Sequence, residues 1–107
     1  MRILAVTWNL AGKTPQPVDL ANLLHPAQIH HDIYVIGTQE ALGSIMGAMF
    51  SPSKDLMNQM IQTCLGDEYV MVSSVCLQAT HLVVFVRKRL SPLISNIVTD
   101  TCATGFK

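Results

Sequence analysis

Asn9 and Glu40 are the two residues whose type and position could support chemistry. Each ends an apolar run: Asn9 follows residues 2–8, and Glu40 closes a run that begins with Ile-Tyr-Val-Ile at 33–36. A run this uniformly apolar and β-rich predicts a buried central strand. Open α/β sheets bind ligands at the carboxyl ends of their strands. An amide and a carboxylate at these two strand ends therefore predict a ligand-binding site.

The two apolar runs are predicted to be parallel neighbours in one sheet. Parallel strands need a crossover connection, and the segment between the runs has the leucine spacing of a short helix at about residues 18–24. A loop with one glycine and two prolines, residues 10–17, precedes that helix. In this arrangement Asn9 and Glu40 are expected to lie side by side.

The second half of the chain predicts one helix and three further strands. The helix has Ser51 as its N-cap, Pro52 in its first turn and Gly66 as its stop. Residues 41–50, which come before it, are interpreted as a loop or a weak helical turn. Short connections between the later strands predict an antiparallel arrangement. The predicted fold is α/β, with a mixed sheet that has a parallel first pair followed by antiparallel strands at 69–77, 81–88 and 93–99.

The composition sets limits on the domain and its compartment. With 107 residues, half of them apolar and only 13% charged, residues 1–107 are expected to be one incomplete domain with too little polar surface. No apolar run approaches the length of ~18 residues that spans a bilayer, so no transmembrane segment is predicted. The start lacks a signal-peptide pattern, which predicts a cytoplasmic protein. The cysteines Cys64, Cys76 and Cys102 are expected to be buried free thiols.

Charge and the remaining polar clusters give no second site. The formal net charge is zero, which argues against a nucleic-acid partner and against a general attraction to anionic lipid. The basic run at 87–89 is interpreted as a solvated turn in preference to a phosphate site. His25, His30 and His31 are likewise interpreted as a solvated turn, and His81 as a satisfied or exposed polar group.

Four motifs together resemble the catalytic domain of the inositol polyphosphate 5-phosphatases. This family lies within the endonuclease/exonuclease/phosphatase superfamily. The resemblance covers nearly the whole chain, and its motifs are more specific to the 5-phosphatases than a Gln-Glu pair alone. It implies part of a two-sheet α/β sandwich. The motifs are Thr-Trp-Asn at 7–9, Asp-Ile-Tyr-Val-Ile-Gly-Thr-Gln-Glu at 32–40, Leu-Val-Val-Phe-Val-Arg-Lys at 82–88 and Val-Thr-Asp-Thr-Cys-Ala-Thr-Gly at 98–105.

The resemblance also implies an activity and a cofactor. Glu40 would be the carboxylate that holds Mg²⁺, and Asn9 would place its amide oxygen around the metal-bound phosphate. Mg²⁺ prefers hard oxygen ligands and is commonly held by one or two carboxylates together with substrate phosphate. The implied reaction removes the 5-phosphate from a phosphoinositide or a soluble inositol phosphate, with peripheral membrane contact through the substrate. The family's Gly-Asn-Lys-Gly, Gly-Asp-Leu-Asn and Ser-Asp-His motifs do not occur here, so the chain is expected to be an inactive N-terminal portion.

Three alternatives stay open from the sequence. A nuclease of the same superfamily would also use the Gln-Glu pair, although the lack of a basic surface argues against it. A non-catalytic interaction fragment would keep the sheet without the reaction. Structural roles are the third: Asn9 could bond the following turn, and Glu40 could cap a helix or pair with Lys13 or Lys54.

Overall fold

The computed structural model describes residues 1–11, 16–24, 29–39, 52–77 and 80–100. Within these ranges the chain forms four strands, two α-helices and one 3₁₀ helix. In chain order they are β1 (Ile3–Asn9), α1 (Pro17–Leu24), β2 (Ile33–Gln39), α2 (Pro52–Leu65), β3 (Tyr69–Leu77), β4 (Thr80–Arg87) and the 3₁₀ helix (Lys88–Leu93).

The strands form one mixed sheet in the order β1-β2-β4-β3. β1 and β2 are parallel, and their ladder starts with Ile3 opposite Ile33. β4 is antiparallel to both of its neighbours, β2 and β3. The predicted α/β class, with a parallel first pair and antiparallel later strands, is confirmed.

The two helices lie where their apolar spacing predicts them. α1 buries Leu20 and Leu24, which lie four residues apart and so share one helix face. α2 buries Met57, Ile61 and Leu65 at the same spacing. Gly66 ends α2 in a left-handed conformation with φ +96°, and its N–H donates to the Gln62 carbonyl at 2.9 Å. The predicted glycine stop is confirmed. The predicted N-cap residue and the interpretation of residues 41–50 lie outside the described residues.

The hydrophobic core lies between the helices and one face of the sheet. In β1, burial alternates: Leu4, Val6 and Trp8 pack against the core, whereas the residues between them are exposed. The core residues contributed by β2, β3 and β4 are Tyr34, Ile36, Tyr69, Val83 and Phe85.

Neither described helix has the length and hydrophobicity that crossing a membrane requires.

The predicted fifth strand at 93–99 is wrong. Residues 88–93 instead form the 3₁₀ helix, which contains Pro92 and is followed by Ile94, whose N–H donates to the Ser91 carbonyl at 3.1 Å. Residues 94–100 have no ladder partner among the described strands. They lie along the sheet face opposite the helices, where Ile97 and Val98 line a hollow of about 480 Å³ together with Val84.

Arg87 is a structural residue at the end of β4, so its assignment to a solvated turn was wrong. Its guanidinium is largely buried and makes an ion pair with Asp32 at 2.9 Å. Lys88 and Arg89 are exposed, as predicted for the rest of the basic run.

Two histidine assignments can be compared with the structure at this end of the sheet. His30 is exposed, as a solvated turn requires. His31 is half-buried and packs edge-on against Tyr34 with ring centroids 5.4 Å apart, so the interpretation as a solvated turn is wrong for His31. The Tyr69 hydroxyl donates to the His31 carbonyl at 2.6 Å, and burial is the main cause that raises the pKa of Tyr69 to about 12. His25 lies outside the described residues.

The cysteines fit the prediction of free thiols in part. Cys64 and Cys76 are free, and both are half-buried, which is less than predicted. Burial raises the pKa of the Cys64 thiol, so this thiol is less reactive than an exposed one. Cys102 lies outside the described residues.

Candidate functional site

The candidate site lies at the carboxyl ends of the parallel strands β1 and β2. Asn9 is the last residue of β1, and its partner in the ladder is Gln39, the last residue of β2. Glu40 follows Gln39 directly in sequence and lies outside the described residues. The structure therefore brings Asn9 beside Gln39, while the predicted contact between Asn9 and Glu40 stays a prediction.

Gln39 is the residue at this edge that the sequence reasoning missed. Partners in a parallel ladder present their side chains on the same face of the sheet, so the amides of Asn9 and Gln39 share one face. The signal was available in the sequence, because aligning the starts of the two apolar runs, Ile3 with Ile33, gives this register. Two side-chain amides provide both oxygen acceptors and N–H donors at the edge.

The Asn9 side chain is held by the turn that follows it. Its Oδ1 accepts a hydrogen bond from the Ala11 N–H at 2.9 Å, and Ala11 has a positive φ of 52°. This bond is the structural role that the sequence left open for Asn9. The Asn9 amide can still form further hydrogen bonds, because its carbonyl oxygen has a second lone pair and its Nδ2 group has two donor hydrogens. The Asn9 side chain is exposed to solvent, and its hydrogen bond to the Ala11 N–H orients it before any ligand binds.

The backbone after β1 is fixed as well. The Leu10 N–H donates to the Gln39 carbonyl at 2.8 Å, which continues the contact between the two strands beyond the end of β1. The Leu10 side chain is buried, with 5% of its surface exposed. Asn9 therefore lies between the β1–β2 ladder and the buried Leu10 side chain, so its position is set by the sheet.

One position before Asn9 and Gln39, a row of residues across the sheet faces the hydrophobic core. We call it the support row, and it runs across the four strands as Trp8, Thr38, His81 and Cys76, each the ladder partner of the next. Thr38 and His81 are buried, with 2% and 1% of their surfaces exposed. Of the two alternatives given for His81, an exposed group is wrong, and a polar partner is found for its Nε2 atom.

Two polar atoms of the support row, Thr38 Oγ1 and His81 Nε2, have partners on other elements. The Thr38 hydroxyl donates to Met57 Sδ on α2 at 3.5 Å. His81 Nε2 lies 3.0 Å from Ser74 Oγ on β3. These two contacts connect β2 to α2 and β4 to β3 just below the site edge.

The donors at this edge suit a hard cation that keeps part of its water shell. Among the described residues there is no group of three His, Cys, Asp or Glu side chains that could hold a metal ion by themselves. Mg²⁺ needs no such cage, because one carboxylate, substrate phosphate and several waters commonly complete its six ligands. The Asn9 amide oxygen, with the carboxylate of Glu40 next to Gln39 in sequence, has the donor chemistry that Mg²⁺ prefers.

The fold and the position of the candidate site define the class of protein. The chain is an α/β protein with a mixed sheet, and Asn9 and Gln39 lie at the carboxyl ends of its two parallel strands, the place where open α/β sheets bind ligands. The family model described as "Endonuclease/Exonuclease/phosphatase family 2" matches residues 6–107. The chain belongs to that family.

Curated relatives narrow the similarity to the 5-phosphatases. The chain is 32% identical to mouse phosphatidylinositol 4,5-bisphosphate 5-phosphatase A over 98% of its length. It is also 32% identical to mouse inositol polyphosphate 5-phosphatase K, over 99% of its length. It spans 11% of the first relative and 23% of the second. The resemblance to the 5-phosphatase catalytic domain is confirmed.

Solved structures support the same fold. The inositol polyphosphate 5-phosphatase domain of SPsynaptojanin, in complex with inositol (1,4)-bisphosphate and a calcium ion, superposes with a TM-score of 0.65 and 29% identity, over 89% of this chain and 30% of that domain. The Cimex nitrophorin ferrous NO complex superposes with a TM-score of 0.64 over 81% of this chain and 30% of that one. Its identity of 16% shows a shared fold alone.

Proposed function

We propose that the protein carrying this chain is a Mg²⁺-dependent phosphomonoesterase that removes the 5-phosphate from phosphoinositides or soluble inositol phosphates. The observation that carries the proposal is the similarity of nearly the whole chain to 5-phosphatases. The exposed Asn9 amide at the carboxyl end of β1, beside the end of β2, supports it.

The two proposed site residues have different tasks. Glu40 supplies the anionic ligand of Mg²⁺, which when bound neutralises the negative charge that develops on the phosphate and the leaving oxygen. Asn9 directs its amide toward the phosphate beside the metal. Because the turn to Ala11 already orients that amide, Asn9 needs little reorganisation when substrate binds.

Substrate class and location follow from the relatives and from the charge. One relative is named for phosphatidylinositol 4,5-bisphosphate and another for inositol polyphosphate, so both lipid and soluble headgroups are substrates to test. The chain is formally neutral and gives no general attraction to an anionic membrane surface. We therefore assign the protein to the cytoplasm, with membrane contact only through a lipid substrate.

Residues 1–107 are proposed to contribute the N-terminal portion of a single catalytic domain. Support comes from the SPsynaptojanin superposition, which covers 30% of that domain. An in-line displacement also requires a group that orients the attacking water. Asn9 and Glu40 are assigned to the phosphate and the metal, so the chain by itself is expected to be inactive.

The test measures release of inorganic phosphate by the protein that carries this sequence. Substrates are soluble inositol trisphosphate and a short-chain phosphoinositide, each titrated with Mg²⁺. Glu40→Gln keeps the size of the side chain and removes its charge, so turnover should fall on the order of 100-fold or more. Glu68→Gln is the matched control, because Glu68 is an exposed carboxylate that precedes β3 at the opposite edge of the sheet.

Two results would contradict the proposal. The first is near-normal turnover of the Glu40→Gln protein at ordinary Mg²⁺ concentration. The second is wild-type protein that shows no Mg²⁺-dependent release of phosphate from either substrate.

A further inference from the structure

Three polar residues lie side by side where β1 and β2 end. Gln39 is the ladder partner of Asn9 on one side and of Thr80 on the other, and ladder partners share one face of the sheet. Thr38 precedes Gln39 and His81 follows Thr80, and both are buried on the side of the helices. Because side chains alternate along a strand, the three residues lie on the opposite face. We call Asn9, Gln39 and Thr80 the edge row.

Gln39 combines a fixed backbone with an unpaired side chain. Its strand, β2, is paired on both sides, and its carbonyl accepts the Leu10 N–H at 2.8 Å. The side chain is half-buried, and within the part of the chain that the structure describes its amide has no hydrogen-bond partner. The exposed Thr80 hydroxyl likewise has none there. Both groups are thus available to a ligand on strands that need little rearrangement to bind it.

The chemistry of the edge row suits hydroxyl groups better than a further phosphate. An amide and a hydroxyl both donate and accept hydrogen bonds, as does each hydroxyl of an inositol ring. Phosphate oxygens only accept and are bound best by Arg or Lys, whereas the edge row carries no charged side chain. Adjacent strands are about 4.8 Å apart, so Gln39 and Thr80 extend the row about 5 and 10 Å away from Asn9.

We propose that Gln39 and Thr80 bind hydroxyl groups of the inositol ring while Asn9 faces the 5-phosphate, so that these two residues determine specificity for inositol phosphates. This inference rests on the proposed function, since it starts from a phosphate beside Asn9. Gln39 and Thr80 take no part in bond cleavage. Their hydrogen bonds to the ring form equally in the bound substrate and in the transition state.

The experiment pairs each variant with a matched control in the protein that carries this sequence. Gln39→Leu replaces the amide with an apolar side chain of similar size, and Thr80→Val replaces the hydroxyl with a methyl group. Thr7→Val makes the same change as Thr80→Val at an exposed position on the same sheet face, two residues before Asn9. Gln59→Leu makes the same change as Gln39→Leu at an exposed position of α2, on the other side of the sheet.

Steady-state kinetics with soluble inositol trisphosphate give KM and kcat for each variant. Loss of a contact that is equal in the bound substrate and the transition state raises KM and leaves kcat unchanged. Gln39→Leu and Thr80→Val should each raise KM about fivefold to tenfold, the range expected for one neutral hydrogen bond. Inhibition by inositol (1,4)-bisphosphate, which has the ring but no 5-phosphate, should weaken by the same factor. The two controls should change neither constant more than about twofold.

The outcomes separate ring recognition from other roles of the edge row. A fall in kcat at unchanged KM in Gln39→Leu would show that the amide acts on the transferred phosphate, and would overturn the inference. Unchanged constants in Gln39→Leu or in Thr80→Val, or an equal shift in the matched control, would also overturn it. If Gln39→Leu fails to fold, Thr80→Val decides, because it keeps the side-chain shape at an exposed strand position.

Direct binding of inositol (1,4)-bisphosphate, measured by calorimetry in the presence of Ca²⁺, distinguishes failure of this inference from failure of the proposed function. Wild-type protein that binds this ligand without releasing phosphate from inositol trisphosphate contradicts the 5-phosphatase proposal, while weaker binding by Gln39→Leu and Thr80→Val would still support ring recognition. Wild-type protein that neither binds the ligand nor releases phosphate overturns both.

Discussion

Arg87 Nε donates to Asp32 Oδ1 at 2.9 Å and joins two residues that are 55 positions apart in the sequence. The other carboxylate oxygen of Asp32 accepts the Arg2 N–H at 2.8 Å. Arg87 also donates to the His30 carbonyl at 3.0 Å. The ion pair and these two hydrogen bonds thus connect the starts of β1 and β2 to the end of β4. They lie at the end of the sheet opposite the candidate site.

The first prediction concerns acid stability. The Arg2 backbone N–H, and after it the Arg87 side chain, hold the pKa of Asp32 below its usual value of 3.8, while partial burial opposes them. A carboxyl whose folded-state pKa is lowered stabilises the protein above the unfolded-state pKa. That contribution is lost as the pH falls through the lowered pKa. Asp32→Asn should therefore lower Tm at neutral pH, and its difference from wild type should vanish in strong acid.

Thermal unfolding from neutral pH down to about pH 2 checks this prediction. Asp67→Asn is the control, because Asp67 is exposed in the turn after α2 and has no ion pair among the described residues. A Tm difference between wild type and Asp32→Asn that is as large at the acid end as at neutral pH would contradict the assignment.

The second prediction separates the two roles of Asn9. Asn9→Asp keeps an oxygen that can accept the Ala11 N–H but removes both amide donors and adds a negative charge beside the phosphate. It should unfold at the wild-type temperature and release phosphate much more slowly. Asn9→Ala loses the turn bond as well and should cost about 1 kcal/mol of stability in addition.

Thermal unfolding and phosphate release, measured on both variants, decide between the roles. If Asn9→Asp has wild-type turnover, the amide serves only the turn and the site role is wrong. If Asn9→Ala loses no stability, the hydrogen bond to Ala11 contributes nothing measurable.

The elements that depend on local periodicity could be predicted from the sequence. The apolar runs before Asn9 and Glu40 predicted a parallel pair, and the spacing of Met57, Ile61 and Leu65 predicted α2 with its glycine stop. Side-chain periodicity reports which face of an element is buried, and this requires only neighbouring residues.

Features that depend on distant partners could not be predicted in the same way. The run at 93–99 has strand composition, but whether such a run pairs with a sheet edge or packs on a sheet face depends on residues distant in sequence, and this segment packs on the face. Arg87 is interpreted correctly only when Asp32 is known to lie beside it. His81 is unremarkable at the start of a strand in the sequence, because its burial and its contact with Ser74 on the neighbouring strand arise only in the folded sheet.

The third prediction compares two glycines. Gly66 has φ +96°, a conformation that side-chain-bearing residues rarely adopt, so Gly66→Ala should destabilise the protein by about 1 kcal/mol. A Cβ on Gly37 would meet Thr7 Cγ2 at 3.7 Å and Leu82 Cδ1 at 3.8 Å, which are ordinary contacts. Gly37→Ala should be neutral or slightly stabilising, since glycine is unfavourable inside a strand. Urea unfolding ranks the two variants, and the reverse order would contradict the backbone argument.

The last prediction concerns the sheet face opposite the helices. Ile3 and Leu82 lie on this face with 58% and 43% of their surfaces exposed, next to the apolar hollow that residues 94–100 line. Exposed apolar surface disfavours an isolated monomer by ~25 cal/mol per Å². A purified chain of residues 1–107 should therefore bind ANS and self-associate, and Ile3→Thr with Leu82→Thr should reduce both signals.

Light scattering and ANS fluorescence measure the effect. Val83→Thr is the contrasting variant, because it places a hydroxyl in the helix-covered core; it should loosen the packing and raise the ANS signal. Self-association that the Ile3→Thr, Leu82→Thr double variant leaves unchanged would show that another surface causes it. A monodisperse wild-type chain with one sharp unfolding transition and no ANS signal would show that residues 94–100 cover this face well enough for the chain to be stable as a monomer.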